Sequence, residues 1–461
     1  MAISQSYNSL MSNVSIENLK HSQVDIEGGG KVIVLDTGAV ISPESDAMLQ
    51  ALHSRSVGGL ESHLKILSEK GPDNFMKNFY VGYGHKSIGD CGTTSLFIEG
   101  VSMLVAKAIQ DWPLYCGQES STRYIDFQIQ PFKNPLGTKE GEDTLESYKD
   151  FYKESLEPTK EYLKEQFHIG EGESENIYNK AISARAFDIL RGFLPAGSTT
   201  NLAWHTNLRQ AADKIAIIRH HPLPEVRNTA EAIEKALLGS FPNSFGHKRY
   251  EQTENYNKYW MTEDYYYHNK NCADFKLLSS SINTGLLPRK TLEDRPAKTE
   301  LPRHLAEAGN LQFEFLLDFG SFRDLQRHRA VIQRMPLLTT ELGFEKWYLE
   351  ELPEVLRTKA LAFLKNQEEK ISGLNISKEE KQYYIAMGYN TSNRLTGNLP
   401  ALVYMTELRA TQFVHPTLRT KAEMMAKTML QLFGEFGLVM HMEKESNRFD
   451  IKRGEHDIVL K

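Results

Sequence analysis

Apolar and polar positions along the chain form two series that resemble each other. A polar stretch, 1–30, ends in Gly28-Gly29-Gly30, and Lys31-Val32-Ile33-Val34-Leu35 then predicts a buried strand. Apolar residues at Met48, Leu49, Leu52, Leu60, Leu64, Ile66 and Leu67 predict helix across 44–70. TTSLFIE (93–99) predicts a strand, and GVSMLVAKAIQD (100–111) a helix closed by Pro113. The charged region 137–180 predicts exposed helices. Residues 182–194 lead into Pro195-Ala196-Gly197, and 201–219 carry a long helical pattern. The order then recurs: LQFEFLLDF (311–319) repeats the strand, 320–329 the helix end, and 398–409 the later helix. At one constant spacing Gln110 falls on Gln326, Lys107 on Arg323 and Phe97 on Phe313. The segment with Ile218, Arg219, His221, Pro222 and Arg227 resembles that with Leu408, Arg409, His415, Pro416 and Arg419. The period, ~200 residues, is that of a tandem duplication and far above the 20–50 of solenoid arrays. The expected division is a first copy over 1–245, a polar, tyrosine-rich connector or lid over 246–300, and a second copy over 301–461.

With 461 residues, two or three domains are expected. Apolar residues make up 40% and charged residues 25%, as in soluble globular proteins. A net charge of −6 gives no general attraction to nucleic acid, so an anionic ligand has to be held by locally placed arginines. Cys91, Cys116 and Cys272 lack metal-type spacing and are too few for a disulfide framework, which points to reduced thiols in a cytoplasmic protein. The first twenty residues do not read as a secretory signal. No apolar run reaches the roughly 18 residues of a membrane helix. Neither GxGxxG nor a Walker loop occurs, and no zinc or Ser-His-Asp pattern stands out.

Chemistry-bearing residues gather in a few segments. In Gln118-Glu119-Ser120-Ser121-Thr122-Arg123-Tyr124, Arg123 can grip a phosphate bidentately and Ser121 can donate to it. Gln118 or Glu119 suits a ribose hydroxyl or a base edge. A polar turn with a surface arginine is the plainer reading. In Arg327-His328-Arg329, two guanidiniums flank an imidazole, which suits a diphosphate and a redox-active ring. A basic helix C-terminus would look the same. Gly84-His85-Lys86-Ser87-Ile88-Gly89-Asp90 offers Ser87 to a ligand, or equally as a helix N-cap with Asp90 three residues on. Arg191-Gly192-Phe193-Leu194-Pro195, then Asn207-Leu208-Arg209, then Arg219 add further cationic positions, and Arg409 is the rival of Arg219 in the second series.

These segments resemble the flavin-dependent thymidylate synthases. That family carries one run of Arg-His-Arg, two residues, Ser, one residue, Asn/Gln-Glu, one residue, Ser, one residue, Arg-Tyr. Here the run is divided. Its second half stands at Gln118, Glu119, Ser121, Arg123 and Tyr124, where the Arg-His-Arg positions are Asp111, Trp112 and Pro113. Its first half stands at Arg327, His328 and Arg329, where the Arg-Tyr positions are Thr339 and Thr340. Cys116 replaces the motif serine, and Asp324 stands where the family often has Gln.

The resemblance implies an α/β (α+β) fold of two tandem thymidylate-synthase-complementing-type domains, each a small antiparallel sheet flanked by helices. It implies reductive methylation of dUMP to dTMP with FAD as cofactor, and NADPH and methylenetetrahydrofolate as co-substrates. The substrate is expected at Gln118, Glu119, Ser121, Arg123, Tyr124 and Arg191, and FAD at Ser87, Asn207, Arg209, Arg327, His328 and Arg329. Arg219 or Arg409 is expected to stabilise charge on the pyrimidine. A homodimer imitating the family's homotetramer is expected, with a pyrimidine nucleoside monophosphate as ligand and neither nucleic acid nor membrane as partner. A relative acting on another pyrimidine nucleotide, a non-catalytic flavin or nucleotide binder, and an interaction protein built on the tyrosine-rich segment are the other readings.

Overall fold

The computed structural model describes residues 20–35, 42–53, 60–82, 86–120 and 127–443. In chain order its main elements begin with strands β1 (His21–Asp25) and β2 (Lys31–Leu35) and helices α1 (Pro43–His53), α2 (Leu60–Lys70) and α3 (Lys86–Gly89). Strand β3 (Thr93–Ser102), α4 (Met103–Gln110), β4 (Cys116–Glu119), α5 (Lys139–Gln166) and α6 (Glu175–Leu190) follow. Next come β5 (Thr199–Asn207), α7 (Leu208–Ile218), α8 (Pro224–Ser240), α9 (Glu251–Glu263), β6 (Tyr266–Tyr267) and β7 (Phe275–Ser280). The rest is β8 (Asn310–Asp318), α10 (Phe319–Leu325), β9 (Ile332–Gln333), β10 (Met335–Pro336), α11 (Glu354–Gly373), β11 (Asn390–Asn398), α12 (Leu399–Arg409) and α13 (Pro416–Phe433).

Contacts divide the chain into two compact units, residues 1–120 with 200–264 and residues 121–199 with 265–461. The first is built on a sheet of order β1-β2-β3-β5-β4 and the second on one of order β7-β8-β11-β9. The pairs β1–β2, β2–β3, β4–β5, β7–β8, β8–β11 and β9–β11 are antiparallel. The chain is thus of the mixed α/β class, with small antiparallel sheets flanked by helices, as expected.

Each sheet has one core face, and the alternation of apolar residues sets it. In the second unit Leu311, Phe313, Phe315 and Leu317 all point inward from β8. In the first unit Leu96 and Ile98 of β3 and Leu202 and Trp204 of β5 do the same. At both strand-to-helix junctions of each series a polar side chain caps the helix. Ser102 and Asp318 accept from the amides of Val105 and Ser321, and Asn207 and Asn398 from those of Gln210 and Ala401. These caps place the recurrence on common elements. One detail differs: Gly100 sits at φ +68, which shifts the alternation near the end of β3. Phe97 therefore lies on the outer face, 36% exposed, whereas Phe313 is fully buried, so the two are not equivalent.

Two other expectations change. Residues 201–207 are strand and not the start of a long helix. Their period is two, with Leu202, Trp204 and Thr206 buried and Asn201 and His205 exposed, and the helix begins only after the Asn207 cap. The tyrosine-rich stretch holds regular structure: α9 docks within the first unit, and β7 adds an edge to β8 in the second.

Segment 121–199 joins the second unit by a reciprocal backbone pairing. Ala196 N donates to Ile385 O at 2.9 Å and Met387 N to Leu194 O at 2.8 Å. Gly197 N donates to Tyr383 O at 3.0 Å and Gly388 N to Gly192 O at 2.7 Å. The four bonds are two matched pairs around a local two-fold. Helix α5 packs on α11 beside this pairing, with Phe151 stacked on Phe363 at 4.5 Å and Gln367 donating to Ser147 at 2.7 Å.

A side chain at either glycine of the pairing has no room. A Cβ on Gly197 would lie 2.6 Å from Tyr383 O, and one on Gly388 would lie 2.8 Å from Gly192 O, whereas one on Gly373 meets nothing. Gly197→Ala and Gly388→Ala are each expected to destabilise the protein by about 1–3 kcal/mol. Gly373→Ala, at a helix end, should be neutral or slightly stabilising. Urea unfolding monitored by tryptophan fluorescence checks this, and equal midpoints for all three variants would count against the pairing as a determinant of stability.

Candidate functional site

In the first unit the structure brings Ser87, Asn207 and Arg209 to one place. Asp90, at the end of α3, is the hub: its Oδ1 accepts from Asn207 Nδ2 at 3.1 Å and from Arg209 Nε at 2.7 Å. Asp213, one turn along α7, lies 3.7 Å from Arg209 Nη1 and also pairs with Lys86 at 3.1 Å. Ser87 is exposed on α3. Arg209 is therefore flanked by two carboxylates, and Asn207 spends its oxygen on the α7 cap.

Gln118 and Glu119 lie on β4 opposite Ala203 and Leu202. Gln118 faces solvent, while Glu119 turns inward to Lys107 Nζ at 2.8 Å. Gln110 completes the set, donating to Glu119 at 3.0 Å and accepting from Lys107 at 2.5 Å. With its ammonium group nearly inaccessible, Lys107 depends on this carboxylate. Ser121, Arg123, Tyr124 and His85 lie outside the described residues.

Arg219 ends α7 and meets Glu254 of α9 bidentately, Nε to Oε2 at 2.9 Å and Nη2 to Oε1 at 2.6 Å. Glu234 stands 3.7 Å away, and His220 shares Glu254 at 2.9 Å. Burial would raise the Glu254 pKa, but the bonds from His220 and Arg219 outweigh it and hold the carboxyl below its usual range. Arg219 is neutralised within its own unit.

Arg191 is only 5% exposed in the second unit. Its Nη2 donates to Ser321 Oγ at 3.4 Å, and its Nε has no hydrogen-bond partner. Burial works against its charge, but Tyr348, Asp188, Asp324 and Asp318 more than compensate and hold it protonated. Asp318 is also tied to Thr417 at 2.6 Å and Tyr348 at 2.7 Å. Arg191 thus sits in an internal polar network.

Arg327, His328 and Arg329 follow α10 in a turn that Gln333 fastens by donating to Leu325 O at 3.0 Å and His328 O at 3.1 Å. Arg327 and Arg329 are exposed and make no ion pair among the described residues. His328 is 8% exposed, and its Nε2 accepts from Arg409 Nε at 2.6 Å. Burial, then Arg409 and Arg327, push its pKa down to about 3, so the ring is neutral. Arg409 has no carboxylate partner among the described residues, although Asp324 is near enough to favour its charge.

The predicted residues thus form one group around Asp90 in the first unit and another around His328 in the second. Glu119, Arg191 and Arg219 are each engaged in ion pairs or buried networks apart from these. Asp90 as a clamp and Glu254 as a counter-ion escaped the sequence reading. Both are long-range partners, although Lys107 and Gln110, three apart on a helix, hinted at a shared inward target. The donor set around His328 could hold a phosphate-bearing ligand: exposed guanidiniums without an ion pair among the described residues, beside a neutral ring. Among the described residues no group of His, Cys, Asp and Glu could hold a metal, and no helix is long and apolar enough to cross a membrane.

Removing Glu119 would take the carboxylate away from a buried ammonium, so Glu119→Ala is expected to cost about 3 kcal/mol in chemical denaturation. Lys107→Met combined with Glu119→Leu should recover most of that. A Glu119→Ala protein of undiminished stability would leave Glu119 without this structural role. A pH effect is also expected at α9. Because the folded Glu254 pKa is depressed below 4.5, its contribution is complete above that pH and lost as pH falls through the lowered value. Amides of α9 should lose hydrogen-exchange protection below pH 4.5, with Glu254→Gln already deprotected at neutral pH.

Comparison with known proteins gives this geometry a context. Residues 42–243 match the model of the thymidylate synthase complementing protein family. A UPF0159 protein of Chlamydia muridarum is 26% identical over 417 residues, covering 78% of each chain. One of Thermoplasma acidophilum is 25% identical over 468 residues, covering 84% of this chain and 91% of its own. One of Chlamydia pneumoniae is 24% identical over 409 residues, covering 76% of each. The matched segment holds Ser87, Gln118–Tyr124, Arg191, Asn207, Arg209 and Arg219, and it ends before Arg327. Residues 42–243, a little under half of the chain, are thus similar to the thymidylate synthase complementing protein family.

Proposed function

We propose that this chain is a flavin-dependent thymidylate synthase that methylates dUMP reductively to dTMP. The methylene comes from methylenetetrahydrofolate, and NADPH supplies the reducing equivalents. FAD, when bound, supplies the hydride chemistry, while the protein positions and polarises. Two diverged copies, 1–245 and 301–461 with 246–300 between them, share the site determinants, and the chain works as a cytoplasmic homodimer.

The observation that carries this reading is the different state of the two rival arginines. Arg219 is saturated by Glu254, with Glu234 beyond it, whereas Arg409 is held by a neutral imidazole and makes no ion pair among the described residues, with Asp324 acting on its charge from further off. A group that must stabilise negative charge on a pyrimidine ring needs that free charge in a half-buried place. Arg409 has it. Arg327 and Arg329 would hold the cofactor's diphosphate. Ser87, with Asn207 and Arg209 fixed by Asp90, would line the flavin as hydrogen-bond donors, since the charge of Arg209 is already balanced. Arg123 and Ser121 would hold the substrate phosphate.

A second reading keeps the site and changes the pyrimidine. Asp324 stands where the resembled family often has Gln, and it is close enough to Arg409 to act on its charge. An acidic group there would favour a base that offers a donor.

The first measurement is the absorbance spectrum of the purified protein with added FAD and then dUMP. Flavin bands that survive gel filtration and shift on adding dUMP are expected, followed by dTMP formation with methylenetetrahydrofolate and NADPH. Arg409→Ala should lower turnover by at least about a hundredfold, while Arg219→Ala should mainly loosen α9. A protein that retains no flavin and ignores dUMP would sink the proposal. Arg123→Ala and Arg327→Ala should each be inactive, and activity regained on mixing them would show that sites form between chains.

A further inference from the structure

We propose that His328 is a positioning residue: it accepts the Nε–H of Arg409 and so aims the remaining guanidinium N–H groups at the ligand without cancelling their charge. The inference rests on the reading of Arg409 given above and deepens it. An arginine Nε can only donate, so the 2.6 Å contact requires a bare nitrogen at His328 Nε2 and places the ring's proton on Nδ1. The surroundings favour that neutral form. The ring is 8% exposed, and Arg327 and Arg409 act on it, with Asp324 opposing them. The turn is rigid, because Gln333 ties its carbonyl and that of Leu325, and Tyr404 meets the ring edge-on at 6.2 Å.

Arg219 shows the alternative. There a carboxylate orients the guanidinium and neutralises it in the same act, taking up Nε and Nη2 together. His328 takes up Nε alone. It leaves Nη1 and Nη2 of Arg409 without a partner among the described residues, four N–H groups that can face an anionic or carbonyl oxygen bidentately. An imidazole whose Nε2 is committed in this way has only Nδ1–H to offer a cofactor. Its main effect on the site therefore passes through Arg409.

A double-mutant cycle on dUMP binding to the FAD-loaded protein tests this. His328→Leu is expected to weaken dUMP binding on the order of tenfold, the scale of one charge-assisted hydrogen bond. Combined with Arg409→Ala it should add nothing to the loss from Arg409→Ala alone. His328→Gln, whose amide oxygen can accept from the same Nε, should restore binding to within about threefold. Additive losses, or lost FAD retention with intact dUMP binding, would overturn the proposal. A 15N spectrum of the ligand-free protein gives a readout that needs no ligand. His328, assigned by its absence in His328→Gln, should show Nδ1 protonated and Nε2 bare between about pH 5 and 8. A ring protonated at Nε2, or one that titrates in that range, would equally overturn it. Should the wild-type protein bind no dUMP, the functional reading fails, and the nitrogen spectrum still decides whether His328 orients Arg409.

Discussion

The reciprocal backbone pairing of residues 192–197 with 383–388 fixes which parts of the chain fold together. Its four hydrogen bonds are buried in a setting where unpaired amides would be costly, so neither segment is satisfied without the other. Glycine is required where the backbones come closest, at Gly197 against Tyr383 O and at Gly388 against Gly192 O. The pairing draws α5 and α6 into the second unit and brings aromatic surface with them: Phe151 against Phe363 and against Phe193, which meets Phe344. It also fixes the fate of Arg191. One residue from the pairing, that side chain cannot reach solvent and becomes the counter-ion of Asp318 and Asp188.

Charge placement follows the same logic at longer range. Most arginines and lysines named from the sequence turn out to be neutralised close by: Lys107 by Glu119, Arg209 by Asp90, and Arg219 by Glu254. With a net charge of −6, carboxylates are in supply, and among the cations named from the sequence and described in the structure an unpaired one is the exception. Arg327, Arg329 and Arg409 are such exceptions, gathered within one turn and one helix end. Like charges held near one another repel, and Arg409 and Arg327 add to burial, the larger cause, in keeping the His328 ring neutral. A cluster that folding itself does not reward is best explained by a ligand that does.

Much of the fold was legible in the sequence because it rests on short-range signals. The strand Lys31–Leu35, the helix closed near Pro113 and the recurrence from 93–110 to 311–326 all depend on local pattern and capping chemistry. Residues 201–207 were misread because an alternation of period two runs directly into a helix, and only Asn207 marks the change. The Phe97–Phe313 match failed because Gly100 shifts the strand by one position, and a single glycine does not announce its φ in a sequence. The site was legible as a list of residues but not as a set of partners. Whether an arginine is free or saturated depends on a carboxylate dozens of residues away, as with Glu254 for Arg219.

A motif divided between two series is intelligible in these physical terms. In the first series the positions corresponding to Arg-His-Arg are Asp111, Trp112 and Pro113. The structure gives them other work: Asp111 O accepts from the buried Lys214 at 2.7 Å, and Trp112 bonds Gln210 at 2.9 Å. They have become part of the packing between α4 and α7. In the second series that junction kept its cations exposed, while its cap, Asp318, was drawn into the internal network with Arg191 and Thr417. One junction stabilises its unit through buried partners, and the other leaves positive charge available. A chain carrying both has no need for either to do both. Stability requires that charges be satisfied, and ligand binding requires that some remain unsatisfied. Here those opposed requirements fall on two different strand-to-helix junctions.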